Sequence, residues 1–167
     1  YNGYDKIYWT ESISNSAADL ETFSIVKYLD LKSGRVRSLK KRTKYFNPAP
    51  SAHGKPIAVS EYEIGGKTYL TYIDSKKGNV ISRIESPDHG QVKENTYFKG
   101  EVYSTVVTKD GMAIYKNAGS SWERVSKIQH QSISHLRSTE DFIYFTSDLD
   151  GVLNTYTYYP DKGSLVR

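Results

Sequence analysis

A glycine turn recurs along this chain at an almost fixed interval, and that interval restricts the fold more than any other feature. The turns are Asp30-Leu31-Lys32-Ser33-Gly34, Asp74-Ser75-Lys76-Lys77-Gly78, Asn117-Ala118-Gly119 and Pro160-Asp161-Lys162-Gly163, with glycines 44, 41 and 44 residues apart. Asp, Asn and Ser close such turns with their own side chains, and glycine supplies the positive φ. A second series keeps step with the first. Ile7–Glu11, Ile57–Glu61, Val102–Thr105 and Ile143–Ser147 are β-branched and aromatic runs that read as strands, starting 50, 45 and 41 residues apart. Two series in register mark an internal repeat.

Each repeat divides into short strands. In the second they are Pro48–Ala52, Ile57–Tyr62, Tyr69–Asp74 and Asn79–Ile84; the third strands of the other units are Phe23–Leu31, Met112–Lys116 and Asn154–Tyr159. The outer strands are Arg35–Leu39, Ser121–Ile128 and a shortened Ser164–Arg167, and the first unit has no inner strand. Four antiparallel strands per ~40–50 residues make a β-propeller blade. A sandwich also has short strands and frequent turns, but not this fixed period. The expected fold is therefore all-β, with about four blades spanning roughly 1–45, 46–91, 92–131 and 132–167. Only Asn15–Glu21 is compatible with a turn or two of helix. A missing inner strand and a short final one predict a partial propeller, an open arc. Such an arc leaves alternate residues of Ile7–Glu11, and the region of Ile143–Phe145, without a neighbour. Uncovered apolar faces drive association, so the isolated chain is expected to self-associate.

Composition narrows the class of function. The 167 residues include 15 Tyr and no Cys, which excludes disulfide scaffolds, zinc ribbons and thiol nucleophiles. No apolar run approaches the ~20 residues of a membrane span. The chain opens on Tyr1 without a leader and is expected to be a piece of a longer protein. The formal charge of +4 is uneven: residues 1–84 carry 14 Lys/Arg against 8 Asp/Glu, and residues 85–167 carry 9 against 11. The basic residues are densest at Arg35, Arg37, Lys40, Lys41, Arg42 and Lys44. A run of this kind attracts acidic protein, anionic lipid or nucleic acid, and is more often only a solvated face.

Two segments resemble a known repeat. Asn47-Pro48-Ala49-Pro50-Ser51-Ala52-His53-Gly54-Lys55-Pro56-Ile57-Ala58-Val59 is similar to the "P-x-W-S-P-D-G-K-x-I-A-F" repeat of TolB-like propellers (the PD40, or WD40-like, repeat). Ile143-Tyr144-Phe145-Thr146-Ser147-Asp148-Leu149-Asp150-Gly151 resembles that family's "I-Y-F-T-S-D-x-D-G". Ala52-His53 stands where the repeat has Pro-Asp, a change confined to a hairpin turn. The resemblance implies a propeller of roughly six to eight blades. It also implies a secreted or periplasmic protein that makes protein contacts or gates a peptidase. The motif specifies blade geometry rather than activity, so it transfers no functional residues.

Catalytic constellations are absent from the sequence. There is no G-x-S-x-G elbow and no H-E-x-x-H. His53, His89, His130 and His135 lack carboxylates at metal-ligand spacing; His130 and His135 flank a blade junction, where a zinc or proton-transfer role is less expected than a loop or channel position. Asp148-Leu149-Asp150-Gly151 reads as a tight hairpin rather than a calcium loop, because Gly follows Asp150 directly. Gly65-Gly66-Lys67 is a hairpin, not a phosphate cradle. Tyr8, Trp9, Tyr103, Tyr144 and Phe145 are expected to pack between blades rather than to stack bases or sugars.

The candidate contact surface is a rim. Ser12–Thr22 separates two strands of the first unit by about 11 residues, and propeller geometry puts it on the same face as the linkers Lys40–Phe46 and Pro87–Asn95. The rim residues are Ser12, Asp19, Lys40, Lys41, Arg42, Lys44, Asp88 and His89. The expected function is non-enzymatic binding of an acidic protein or peptide, with no nucleic-acid partner and no cofactor. The alternative is the substrate-selecting propeller of a prolyl-oligopeptidase-like or tricorn-like peptidase whose catalytic domain lies elsewhere.

Overall fold

A computed structural model of the chain describes residues 5–14, 22–40, 42–51 and 55–167. The fold is all-β. Sheet one holds β1 (Lys6–Ser14), β2 (Thr22–Asp30) and β3 (Arg35–Ser38), and sheet two holds β4 (Tyr45–Pro50), β5 (Ile57–Tyr62), β6 (Thr68–Ile73) and β7 (Val80–Glu85). Sheet three holds β8 (Gln91–Phe98), β9 (Glu101–Thr108), β10 (Gly111–Ala118) and β11 (Ser121–Arg124). Sheet four holds β12 (Ile133–Ser138), β13 (Ile143–Ser147), β14 (Asn154–Tyr159) and β15 (Ser164–Val166). Every sheet is an antiparallel meander, so each is one blade. Sheet one has three strands, with β1 at its inner edge.

The period-2 alternation of a strand assigns each residue to one of two neighbouring blades. Along β5, Ile57 and Val59 join Val26 and Tyr28 of sheet one and Leu39 just after it, while Ala58 joins Tyr97 and Val102 of sheet three. Along β9, Val102 turns back to sheet two, and Tyr103 turns forward to Ile143, Phe145 and Tyr156 of sheet four. A central blade is thus buried on both faces, which explains why the first four residues of β5 are all buried and open with the apolar run Ile57-Ala58-Val59. Among the described residues the cores join sheets one to two, two to three and three to four, and none joins four to one. The blades form an arc, a partial propeller.

Hydroxyl, amide and indole groups stitch the second of these interfaces, between sheets two and three. Tyr72 donates to Asn117 Oδ1 at 2.9 Å, Asn95 Nδ2 to Ser60 Oγ at 2.9 Å, and Trp122 Nε1 to the carbonyl of Glu85 at 2.9 Å. Burial pushes the Tyr72 phenol up to about 12. Gly111 shows why one turn position admits no side chain: at φ 132°, a Cβ there would lie 2.5 Å from the Gln129 carbonyl.

The strands depart from the sequence reading at several places. β1 runs on to Ser14 and β2 begins at Thr22, so Ser12 is a strand residue and the connection shrinks to residues 15–21, which lie outside the described residues together with the expected helical turn. β8 begins at Gln91, so half of the expected linker Pro87–Asn95 is strand; β9 pairs with it at Gln91, Val92 and again from Asn95. Ile143 and Phe145 are not an open face. They are buried against sheet three, and Tyr144 and Thr146 occupy the opposite, outward positions. The outward face of sheet one carries Ile7, Ile13 and Val36, 46%, 40% and 56% exposed.

Two tyrosines at the second interface separate packing from hydrogen bonding. Tyr97 has no partner for its buried hydroxyl among the described residues, whereas Tyr72 has Asn117. Tyr72→Phe orphans the Asn117 amide oxygen and is expected to lower unfolding free energy by about 1–2 kcal/mol. Tyr97→Phe removes an unsatisfied group and is expected to leave stability unchanged or raise it by up to about 1 kcal/mol. Urea denaturation of the two variants distinguishes these outcomes; equal losses would show that both hydroxyls are equally engaged.

Candidate functional site

In an antiparallel meander, alternate connections emerge at the same end. The connections β1–β2, β3–β4, β5–β6 and β7–β8 therefore share one face of the arc, here the upper face, with their counterparts in sheets three and four. The basic run does not lie wholly on it. Arg35 pairs with Asp30 at the lower end of β2, Leu39 N donates to Val26 O halfway up, and Thr43 bridges Ser24 near the top. The run climbs the outer edge of sheet one, so Arg35 and Arg37 lie away from the upper face. There Lys40, Arg42 and Lys44 border an open depression of about 470 Å³ with Glu61, Tyr62 and Glu63.

The two acids in this depression already have a partner. Arg83 reaches Glu61 Oε2 at 3.0 Å and Glu63 Oε1 at 2.6 Å, and its guanidinium lies 3.7 Å from the Tyr69 ring centroid. The Arg83 hydrogen bond holds the Glu63 carboxyl below the usual carboxylate range. Ion pairs among the described residues engage Lys27, Lys32, Lys67, Arg83, Lys99, Lys116, Arg137 and Arg167, and none engages Lys40, Arg42 or Lys44.

The remaining rim residues are dispersed. Ser12 is exposed opposite Ser24, near the top of β1. Asp88 and His89 sit in the short 3-10 turn Pro87–His89 at the next blade junction, and the Asp88 carboxylate accepts the Tyr115 hydroxyl at 3.0 Å. Asp88 and His89 do not border the basic depression. Asp19, Lys41 and His53 lie outside the described residues. His130 is exposed, and His135 Nδ1 is 2.9 Å from Thr146 Oγ1. No group of three His, Cys, Asp or Glu among the described residues is arranged to hold a metal. Asp148 and Gly151 close a hairpin, with Gly151 N donating to Asp148 O at 2.9 Å.

A cavity of about 510 Å³ lies where the inner edges of the four sheets converge, bordered among others by Lys6, Trp9, Pro50, Thr96, Arg137 and Tyr144. Of the aromatics singled out in the sequence, Tyr8, Tyr103 and Phe145 pack between blades, and Tyr8, Trp9 and Tyr144 border this cavity. No described helix is long and apolar enough to cross a membrane.

Sequence reasoning missed a repeated irregularity. The ladders of β4, β8 and β12 each slip at the third residue of the strand, at Asn47, Lys93 and His135. These are β-bulges, which re-aim side chains. The bulges also bond to one another: Asn47 Nδ2 donates to Lys93 O, Asn95 Nδ2 to Asn47 O at 3.2 Å, and Leu136 N to Glu94 Oε2 at 2.8 Å. Asn, Lys and His share no side-chain chemistry, so only their equal offset from the strand start signals the repeat.

The Glu63–Arg83 contact fixes a pH dependence. A carboxylate whose folded pKa lies below its unfolded value, about 4, contributes stability that is present above that value and lost as pH falls through the folded one. Asp74 behaves alike, because it accepts backbone hydrogen bonds from Lys77, Asn79 and Lys76. Urea midpoints are expected to be level between about pH 5 and 7 and to fall below about pH 4. Glu63→Gln should make that fall shallower; a midpoint that rises on acidification contradicts the assignment.

No family model matches the chain, and no curated protein matches it in sequence. Solved structures do. TolB from Acinetobacter baumannii is 20% identical, superposes with a TM-score of 0.65 and is matched over 96% of this chain and 41% of its own. A puromycin hydrolase gives a TM-score of 0.70 at 10% identity, over 97% of this chain and 28% of its own. An acylaminoacyl peptidase from Pyrococcus horikoshii gives 0.61 at 13% identity, over 100% and 26%. The chain spans about two fifths of the length of TolB and little more than a quarter of either peptidase. Blades in meander order, the shared strand arrangement and these superpositions together define a TolB-like β-propeller fold.

Proposed function

We propose that the chain is a non-enzymatic propeller module that holds an acidic protein or peptide segment on its upper face, within a secreted or periplasmic protein. The observation that supports this reading is the set of cations at Lys40, Arg42 and Lys44, which make no ion pair among the described residues while the neighbouring acids are held by Arg83. Unneutralised charge on a rigid scaffold steers oppositely charged partners and accelerates encounter. Ser12, Asp88 and His89 extend the same face, and the reading includes no nucleic acid.

A second reading has its own support in the peptidase superpositions: the arc is the propeller of a peptidase, acting as a filter beside a catalytic domain. The two differ in what accompanies the arc in the full protein, since a hydrolase domain bearing G-x-S-x-G favours the filter. Under either reading the open face around Ile7, Ile13 and Val36 lets a second copy associate with the isolated chain, and light scattering is expected to show species larger than the monomer.

The test of the first reading uses a fluorescently labelled glutamate-rich peptide. Binding is expected to weaken steadily as salt rises, because exposed charges act over a Debye length of about 10 Å at 0.1 M. Changing Lys40, Arg42 and Lys44 together to Glu should slow association on the order of tenfold. Screens with esterase, peptidase, glycosidase and phosphatase substrates should remain at background. Unchanged binding in the triple variant, or turnover abolished by one substitution, overturns the reading.

A further inference from the structure

Beside the basic depression lies a second one, of about 540 Å³, bordered by Thr22, Lys44, Phe46, Asn47, Tyr62 and Lys93. It joins the start of β2 to the mouth of the junction between sheets two and three. Its floor is an aromatic pair, Phe46 and Tyr62, with centroids 5.3 Å apart and rings at 69°. Its two cations, Lys44 and Lys93, make no ion pair among the described residues.

Both lysines stand on backbone that is fixed from several sides. Tyr62 N donates to Lys44 O at 3.1 Å, and the Tyr62 hydroxyl donates to Val92 O at 3.0 Å, so one residue fastens both lysine-bearing segments. The Lys93 carbonyl also accepts Asn47 Nδ2 and Ser60 Oγ. Lys93 is the bulged residue of β8, which removes it from the regular alternation of that strand. Two ammonium groups on held backbone, beside an apolar ring, match a carboxylate followed by an apolar side chain. They match an all-polar polyanion less well, because such a ligand leaves the aromatic floor uncovered.

We propose that this depression is a subsite for an acidic-apolar peptide segment, with a carboxylate between Lys44 and Lys93 and the adjoining apolar side chain over Phe46. It rests on the upper face being the contact surface and adds the identity of the recognised sequence. Lys93 thereby joins the rim as a specificity residue from a different blade.

The experiment compares two labelled peptides of equal charge, one alternating Glu with Leu and one alternating Glu with Ser, by fluorescence anisotropy on the whole chain. The Glu-Leu peptide is expected to bind at least about threefold more tightly, and Lys93→Gln to weaken it about threefold to fivefold, the scale of one exposed ion pair. Phe46→Ala, checked for folding by its thermal melt, should abolish the preference for Leu; Lys93→Gln, at an exposed side chain, tests the site independently of that melt. Suppose both peptides bind equally, Lys93→Gln has no effect, and the Lys40, Arg42 and Lys44 reversals still weaken binding. The subsite is then refuted and the acidic-partner reading stands. Absence of binding by either peptide refutes both.

Discussion

Each blade has two apolar faces and can bury them only against another blade. That constraint organises the molecule. A sheet with one wet face is satisfied by a single neighbour, whereas β5 places Ile57 and Val59 on one side and Ala58 on the other, both inside a core. Loss of one such side chain therefore affects an interface rather than a blade. Phe145, stacked on Tyr156 at 5.8 Å and 1% exposed, belongs to the contact of sheets three and four as much as to sheet four itself. Removing a buried aromatic of this kind costs about 3–5 kcal/mol.

The architecture was legible because its signals are local. β5, β13 and β14 begin and end at the residues that the alternation and the glycine turns indicate. Turn chemistry lies within five residues of sequence, as at Asp74, whose carboxylate accepts three backbone amides of its own loop. What the sequence does not display is the sense of a face. Alternation separates Ile143 and Phe145 from Tyr144 and Thr146, but only the position of sheet three decides which pair is covered. The basic run illustrates the same gap. Its six cations lie within ten residues of sequence, yet the outer strand holds Arg35 and Arg37 away from the depression that Lys40, Arg42 and Lys44 border.

The upper face is built from residues that no single segment announces. Lys44 leaves the linker after sheet one, Tyr62 ends the second strand of sheet two, and Lys93 stands at a bulge in the first strand of sheet three. Reading residues 87–95 as a linker conceals Lys93, because a loop residue has no assigned direction. Once β8 begins at Gln91, the bulge gives Lys93 a direction and Ser60 and Asn47 give it a fixed base. The face thus depends on contacts across blade junctions, and its charge and its geometry come from different parts of the sequence.

The bulges on the inner strands have an implication for evolution by duplication. Asn47 reaches forward to the carbonyl of the next blade's bulge, and Glu94 reaches forward to amides of the one after that. In both cases the far partner is a backbone atom of the next blade's bulge, so the contact asks for the bulge and not for a particular side chain at it. A newly copied blade inserted between existing ones offers the same backbone groups to the blade before it, provided that its inner strand keeps the bulge. Such an arc can therefore be lengthened by duplication, and what each copy must inherit is the bulge rather than the residue that stands at it.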